Sequence, residues 1–278
     1  VAVTVDEALR GAGIELREAR LLLAAAARVP EARIAAHPEQ PLEESIRARF
    51  DAWARRRKQG EPIAYLTGWR EFYGVTLAVT PAVLIPRHET ELLVERALAL
   101  LPQRRSRRVL DLGTGSGALA LAIKRERPAA QVVAVEASRA ALEVARSNAA
   151  RLGLDVEWRA GRWYSALAQG ERFDVIVSNP PYVAQDDPHL SQGDLRFEPR
   201  EALVGGADGL DAIRLIAGGL RERLVPGGWI FLEHGFDQAE AVRACLAAAG
   251  LSLVRTWRDL AQHPRVSGGC AGAAAGGR

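Results

Sequence analysis

With 278 residues, of which 48% are hydrophobic and 26% charged, the chain can fill one large core or two smaller ones without disulfide or metal staples. A formal net charge of +3 permits a nucleic-acid partner but does not call for one. The two cysteines, Cys245 in an Ala-rich helical pattern and Cys270 in a Gly-rich tail, form no disulfide framework. With no leader pattern and no apolar run longer than Leu21–Ala27, a cytoplasmic protein away from the membrane is expected.

Residues 1–62 read as a helical domain. Thr4-Val5-Asp6-Glu7 has the form of a capping box. A second helix is predicted from Glu15 to Arg28 and a third from Leu42 to Gln59. The latter ends in Arg55-Arg56-Arg57-Lys58, expected as a solvated helix end that suits the dipole. From Ile63 to Ile85 the pattern turns to β, and Phe72–Val79 suits a hairpin, so residues 63–86 are expected to link two domains. A helix is predicted from Glu89 to Leu101, followed by a basic loop over Gln103–Arg108.

Strands and helices then alternate. Strands are predicted at Val109–Leu112, Val132–Glu136, Val156–Arg159, Val175–Ser178, Trp229–Glu233 and Leu253–Trp257. Helices are predicted at Ala118–Arg127, Arg139–Leu152, Leu210–Leu224 and Gln238–Ala249. This alternation implies an α/β fold with a mostly parallel sheet and helices on both faces. The small-residue stretch from Ala271 to Arg278 reads as a disordered tail.

Two loops carry chemistry. Asp111-Leu112-Gly113-Thr114-Gly115-Ser116-Gly117 joins the first strand of this domain to its first helix, where glycines let a ligand approach the backbone. Glu136 ends the next strand at the distance where such folds bind ribose hydroxyls. The pattern Gly113, Gly115, Ala118 also fits a dinucleotide dehydrogenase. Asp111 favours a cofactor bearing an ammonium or sulfonium, which points to S-adenosylmethionine. The second loop, Asn179-Pro180-Pro181-Tyr182, follows a buried strand. Its Asn179 oxygen and Pro180 carbonyl could grip a planar NH2 group, and the Tyr182 ring could cover its face. A ligand-free proline turn is the plainer alternative.

Taken together, Asp111–Gly117, Glu136 and Asn179–Tyr182 resemble class I S-adenosylmethionine-dependent methyltransferases acting on an amide or exocyclic amine nitrogen. Leu84-Ile85-Pro86-Arg87-His88-Glu89-Thr90-Glu91, Asp187-Pro188-His189-Leu190 and Phe197-Glu198-Pro199 narrow the resemblance to the HemK/PrmC family, the release factor glutamine methyltransferases, over Glu61 to Gly269. The resemblance implies a class I methyltransferase (Rossmann-like) domain over 87–278, preceded by a small N-terminal helical bundle for substrate recognition and a β-hairpin linker. The implied reaction moves a methyl group from S-adenosyl-L-methionine to the glutamine side-chain amide in the Gly-Gly-Gln motif of class 1 peptide chain release factors. Gly113, Thr114, Gly115, Ser116, Gly117, Glu136, Trp163 and Asn179 would hold the cofactor. Asn179, Pro180, Pro181 and Tyr182 would hold the glutamine, with Asn179, Pro180 and Tyr182 catalytic. Position 162 is Arg where the family usually has an acidic residue. His88 replaces a usual proline, and Gln262-His263-Pro264-Arg265 departs from Gly-x-Asp-Arg.

Glutamine methylation of a ribosomal protein, adenine or guanine amino methylation of nucleic acid, and a non-catalytic binding module are the rivals. The balanced charge and small helical N-terminus offer little to bare nucleic acid. His37, His88, His189, His234 and His263 lack metal-ligand spacing, so no metal is expected, and His234 is the one nearest the active edge. Glu198 reads as a pin for the loop after the motif, and Trp53, Trp69, Trp229 and Trp257 as core. A monomer is expected.

Overall fold

The computed structural model describes residues 3–272, and the chain forms two compact units. The first runs through Trp69 and takes in Ser191–Phe197, and the second holds the remainder. The first unit contains helices α1 (Val5–Gly11), α2 (Leu16–Ala27), α3 (Glu31–Ala36), α4 (Glu44–Lys58) and α5 (Ile63–Thr67). The Thr4–Glu7 capping box is formed, with both reciprocal hydrogen bonds present. Leu22, Leu23, Phe50 and Leu66 fill the core between these helices.

Three features of this unit depart from expectation. The region after Ile63 begins as a helix, because Pro62 starts it and Gly68, at φ +81°, stops it within five residues. A five-residue helix has too few positions to show a period. The basic end of α4 is not simply solvated. Arg57 makes two hydrogen bonds to Glu18, at 2.9 and 2.7 Å, and a third to Asp194 at 2.9 Å. Trp69 is 46% exposed rather than core.

The second unit opens at Arg70, within the expected hairpin of β1 (Trp69–Phe72) and β2 (Val75–Ala78), and continues with α6 (Glu91–Leu98). Its main sheet comprises β3 (Arg108–Leu112), β4 (Gln131–Glu136), β5 (Glu157–Ala160), β6 (Phe173–Ser178), β7 (Leu224–Glu233), β8 (Leu251–Arg258) and β9 (Pro264–Ala271), with α7 (Ala118–Glu126), α8 (Arg139–Leu152), α9 (Asp211–Arg223) and α10 (Ala239–Ala248) between them. The strand order is β5-β4-β3-β6-β7-β9-β8. Pairings among β3 to β7 are parallel, and β9 runs antiparallel to both neighbours. Alternate side chains feed two cores. Val109, Val132, Val175 and Val177 enter one, and Leu110, Val133 and Ile176 enter the other. Burial on both faces explains the near-continuous apolar runs.

Sequence reasoning omitted β9. Cys270 and Ala271 belong to this strand rather than to a tail, and Cys270 pairs with Trp229. Residues 273–278 of the expected disordered tail lie outside the described residues. The basic loop before β3 is exposed, and it is held at its end by Arg107, which pairs with Asp174, and by Arg108, the first residue of β3, which pairs with Glu171, each at 2.5 Å. Trp229 and Trp257 are partly buried around Phe231, with ring centroids 5.7 and 5.4 Å from it. No helix among the described residues is long and apolar enough to cross a membrane.

Candidate active site

In this sheet the order reverses at β3, whose neighbours β4 and β6 lead in opposite directions, so a crevice opens beyond their C-terminal ends. A cavity of about 390 Å³ lies there. Gly113, Thr114, Gly115, Ser116, Glu136, Trp163, Asn179 and Pro181 all line it, as do Leu84, Pro86 and Thr90. Gly117, Pro180 and Tyr182 do not line it.

The glycine loop is shaped from below. Asp111 is fully buried, and its Oδ2 accepts from Thr114 Oγ1 at 2.5 Å and from the Ala120 amide at 3.2 Å. The carboxylate therefore organises the loop rather than reaching the cavity, which corrects its expected role beside a cationic cofactor. Burial pushes its pKa up to about 7. Gly117 has φ +85°, and a Cβ there would stand 3.0 Å from Leu121 Cδ1 and 3.1 Å from the Trp158 ring. Its task is close packing of α7 and α8 rather than contact with a ligand. At Gly113, with φ +73°, a Cβ would stand 3.4 Å from the Trp163 ring, so that indole closes over the loop.

Two backbone amides hold the Glu136 carboxylate. Oε2 accepts from Gly115 at 2.8 Å and Oε1 from Ser138 at 2.9 Å. Each oxygen keeps a second lone pair, so the group is fixed and can still accept from a diol. Trp163 adopts φ +51°, and its buried Nε1 has no partner among the described residues. Arg162 is exposed and lines the same cavity.

Beyond β6, Asn179 Nδ2 donates to Thr90 Oγ1 at 3.1 Å. Neither Asn179 Oδ1 nor the Pro180 carbonyl accepts a hydrogen bond from the described residues. The Tyr182 hydroxyl points away from the cavity and donates to Glu233 Oε1 at 3.1 Å. Its ring does not cover the cavity, because the hydroxyl is satisfied in the interior. Glu198 is the expected pin. It is buried, accepts from the Ile85 amide at 3.0 Å and pairs with Arg87. His234 is structural, buried between Ser267 Oγ and the Gly235 carbonyl, each at 2.8 Å. No cluster among the described residues could hold a metal ion.

Residues 5–68 match the PrmC N-terminal domain, and residues 88–194 match the Methyltransferase small domain. The release factor glutamine methyltransferase of Bordetella pertussis is 53% identical over 265 residues, covering 95% of this chain and 98% of that one. The chain belongs to the release factor glutamine methyltransferase family. Its namesake in Burkholderia pseudomallei is 52% identical over 272 residues, covering 96% of this chain and 95% of that one. Among solved structures, a methyltransferase from Pyrococcus furiosus aligns with TM-score 0.56 at 19% identity, covering 78% of this chain and 97% of that one. The T. thermophilus 16S rRNA N2 G1207 methyltransferase, in complex with AdoMet and guanosine, aligns with TM-score 0.54 at 24% identity, covering 73% of this chain and 49% of that one. These two likenesses show a shared methyltransferase fold. The release factor glutamine methyltransferase assignment covers nearly the whole chain, helical unit included.

Three site residues escaped the sequence reading. Thr90 carries no role within the Leu84–Glu91 motif, Glu233 is read only as the end of a predicted strand, and Asn148 only falls within the predicted helix Arg139–Leu152. Asn148 is buried and bonds both Ala78 and the Ser116 carbonyl of the glycine loop.

Proposed function

We propose that this enzyme transfers a methyl group from S-adenosylmethionine to the side-chain amide nitrogen of the glutamine in the Gly-Gly-Gln motif of class 1 peptide chain release factors, in the cytoplasm. The observation that carries the reading is the unfilled acceptor Asn179 Oδ1, on a residue that lines the cavity beside the glycine loop, followed in the chain by the Pro180 carbonyl, also unfilled although Pro180 is not part of the lining. A carboxamide presents two N–H donors in one plane, and two fixed acceptors match it.

The cavity's own residues fit the cofactor. Glu136 is held with lone pairs to spare for ribose hydroxyls, Gly113 and Gly115 expose backbone, and Trp163 supplies an apolar wall with an unused donor. When bound, S-adenosylmethionine supplies an electrophilic methyl on a sulfonium. The protein's part is positioning. Glutamine's amide lone pair is delocalised into its carbonyl and must localise on nitrogen to react. Asn179 Oδ1 and the Pro180 carbonyl accept the two N–H bonds and aim that lone pair. Both bonds strengthen as positive charge develops on nitrogen, so they favour the transition state over the bound amide. The proton leaves after transfer, because a protonated amide is a strong acid, and no strong base is needed first. Half-buried Tyr182 supports this wall through Glu233 rather than touching the glutamine.

Incubation with labelled cofactor, release factor, ribosomal proteins and RNA, followed by mass spectrometry, should place the methyl on the release-factor glutamine. Asn179→Ala should cut turnover by about 10²–10³-fold while cofactor affinity stays within about threefold. Methyl found only on RNA or a ribosomal protein, or near-normal turnover in Asn179→Ala, would refute the reading.

A further inference from the structure

Among the described residues of the second unit, the large apolar side chains left exposed are Leu100, Leu215, Phe236, Leu253 and Leu260. Leu100 precedes β3 and Leu253 lies near the start of β8, both toward the far end of the sheet, and Leu215 lies within α9. Phe236 and Leu260 stand at the end where the crevice opens. Ser178, the residue before Asn179, pairs with Leu232, and β7 runs on in the same direction toward Phe236. The turn between β8 and β9 lies beyond that same end, because β9 is antiparallel to β7 and the His234 amide donates to the Arg265 carbonyl at 3.0 Å. The Phe236 and His263 rings, 5.9 Å apart, bring the loop after β7 and this turn together. Phe236 is 61% exposed and Leu260 fully exposed, and neither lines the cofactor cavity. Both ride on braced backbone. Gln238 Oε1 accepts from the Gly235 amide at 2.8 Å, and its Nε2 donates to the Tyr182 carbonyl at 2.9 Å, which ties the Phe236 loop to Asn179–Tyr182. In the turn, the Asp259 amide donates to the His263 carbonyl and the His263 amide to Asp259 Oδ1, each at 2.9 Å. An apolar side chain held in water on rigid backbone loses little further freedom when a partner covers it.

We propose that Phe236 and Leu260 form a ledge on which an apolar side chain of the release factor, from the surface around its glutamine, docks. The inference rests on the substrate reading given above. Acceptors at Asn179 and Pro180 recognise a carboxamide and nothing beyond it. The two glycines before the glutamine offer no side chain to grip. Discrimination against other protein glutamines therefore needs a second contact, on the edge where the substrate arrives. The ledge supplies one, with an apolar centre and the exposed polar residues Asp237, Arg258 and Gln262 beside it in the chain. An apolar centre with a polar rim is the arrangement of a binding hot spot.

Titration calorimetry of intact release factor into the intact protein, with S-adenosylhomocysteine present, reads the contact directly. Phe236→Ala and Leu260→Ser should each weaken binding by about tenfold or more. Phe236→Leu and Leu260→Met should keep most of it, and Leu215→Ser, exposed on α9, should leave it unchanged. Steady-state methylation should show the same loss as a rise in KM, with kcat within about twofold. Affinity for S-adenosylhomocysteine should not change, and melting should stay within about 2 °C, as for other exposed positions. Unchanged release-factor affinity in Phe236→Ala or Leu260→Ser, with methylation intact, would overturn the ledge and leave the reading of Asn179 standing. So would a fall in kcat at unchanged KM. Absence of both binding and methylation of release factor in the unmodified protein would overturn the two together. A dimer of the unmodified protein in sedimentation velocity that is lost in Leu260→Ser would assign the ledge to a second copy of the chain and overturn the proposal.

Discussion

Asn148→Ala should loosen the floor of the cofactor cavity. Asn148 Oδ1 accepts from the Ala78 amide at 2.7 Å, and Nδ2 donates to the Ala78 carbonyl and the Ser116 carbonyl, each at 3.0 Å. Three neutral hydrogen bonds at about 1 kcal/mol each give a loss of about 3 kcal/mol, rising toward about 5 if the abandoned backbone groups stay dry. For a chain of this size about 3 kcal/mol lowers the melting temperature by roughly 6–12 °C. Differential scanning calorimetry on the intact protein reads that shift. Asn148→Asp keeps the acceptor for Ala78, loses both donations and buries a charge, so it should be at least as damaging. Because Ser116 belongs to the glycine loop, titration calorimetry should also show weaker S-adenosylmethionine binding in both variants. A melting shift under about 2 °C for Asn148→Ala would refute the assignment of these three bonds as a structural tie.

The glycines of the same loop should separate. Gly117→Ala combines a left-handed backbone, about 1–2 kcal/mol, with contacts at 3.0 and 3.1 Å to Leu121 and Trp158, worth about 1–3 kcal/mol more. Gly115→Ala meets open space, so its melting loss should be smaller while its effect on cofactor affinity is the larger. Equal melting losses would contradict the packing role of Gly117. Asp111, raised to about 7 by burial, keeps its proton in the folded protein while an unfolded aspartate loses its own near about pH 4. Its contribution is therefore present at low pH and lost as pH rises through about 7, at no more than about 1.4 kcal/mol per pH unit. Asp111→Asn should show a shallower fall in stability over that window, measured by urea unfolding at several pH values. An unchanged slope would show that Asp111 is not the group responsible.

The sheet was legible because parallel strands buried on both faces read as unbroken apolar runs, as in Val109-Leu110 and Val175-Ile176-Val177. Helix α8 was legible to the residue because it carries Ser138 at one end and Gly153 at the other. Strand β9 was not, since Gly268 and Gly269 read as a loop. Gly268 is needed there because a Cβ would collide with the Ile230 carbonyl and the Phe231 ring. The cavity was visible in Gly113–Ser116, Glu136 and Asn179, each at the end of its own strand. Side-chain direction was not visible. Tyr182 stands three residues from Asn179, yet its hydroxyl turns inward to a partner 51 residues away. Thr90 and Asn179, 89 residues apart, meet only through the fold.

The helical unit is not a contiguous stretch of chain, because Ser191–Phe197 belongs to it. Arg57 waits for a partner, Asp194, that is 137 positions downstream. At ribosomal elongation of about 5–20 residues per second, the two are separated by roughly 7–27 s of synthesis. The bundle therefore leaves the ribosome with the Arg57 ion pair to Glu18 available and its outer clasp still unmade. The last segment to complete the helical unit is delivered by the same loop that follows Asn179–Tyr182, so completion of one unit is timed by synthesis of the other.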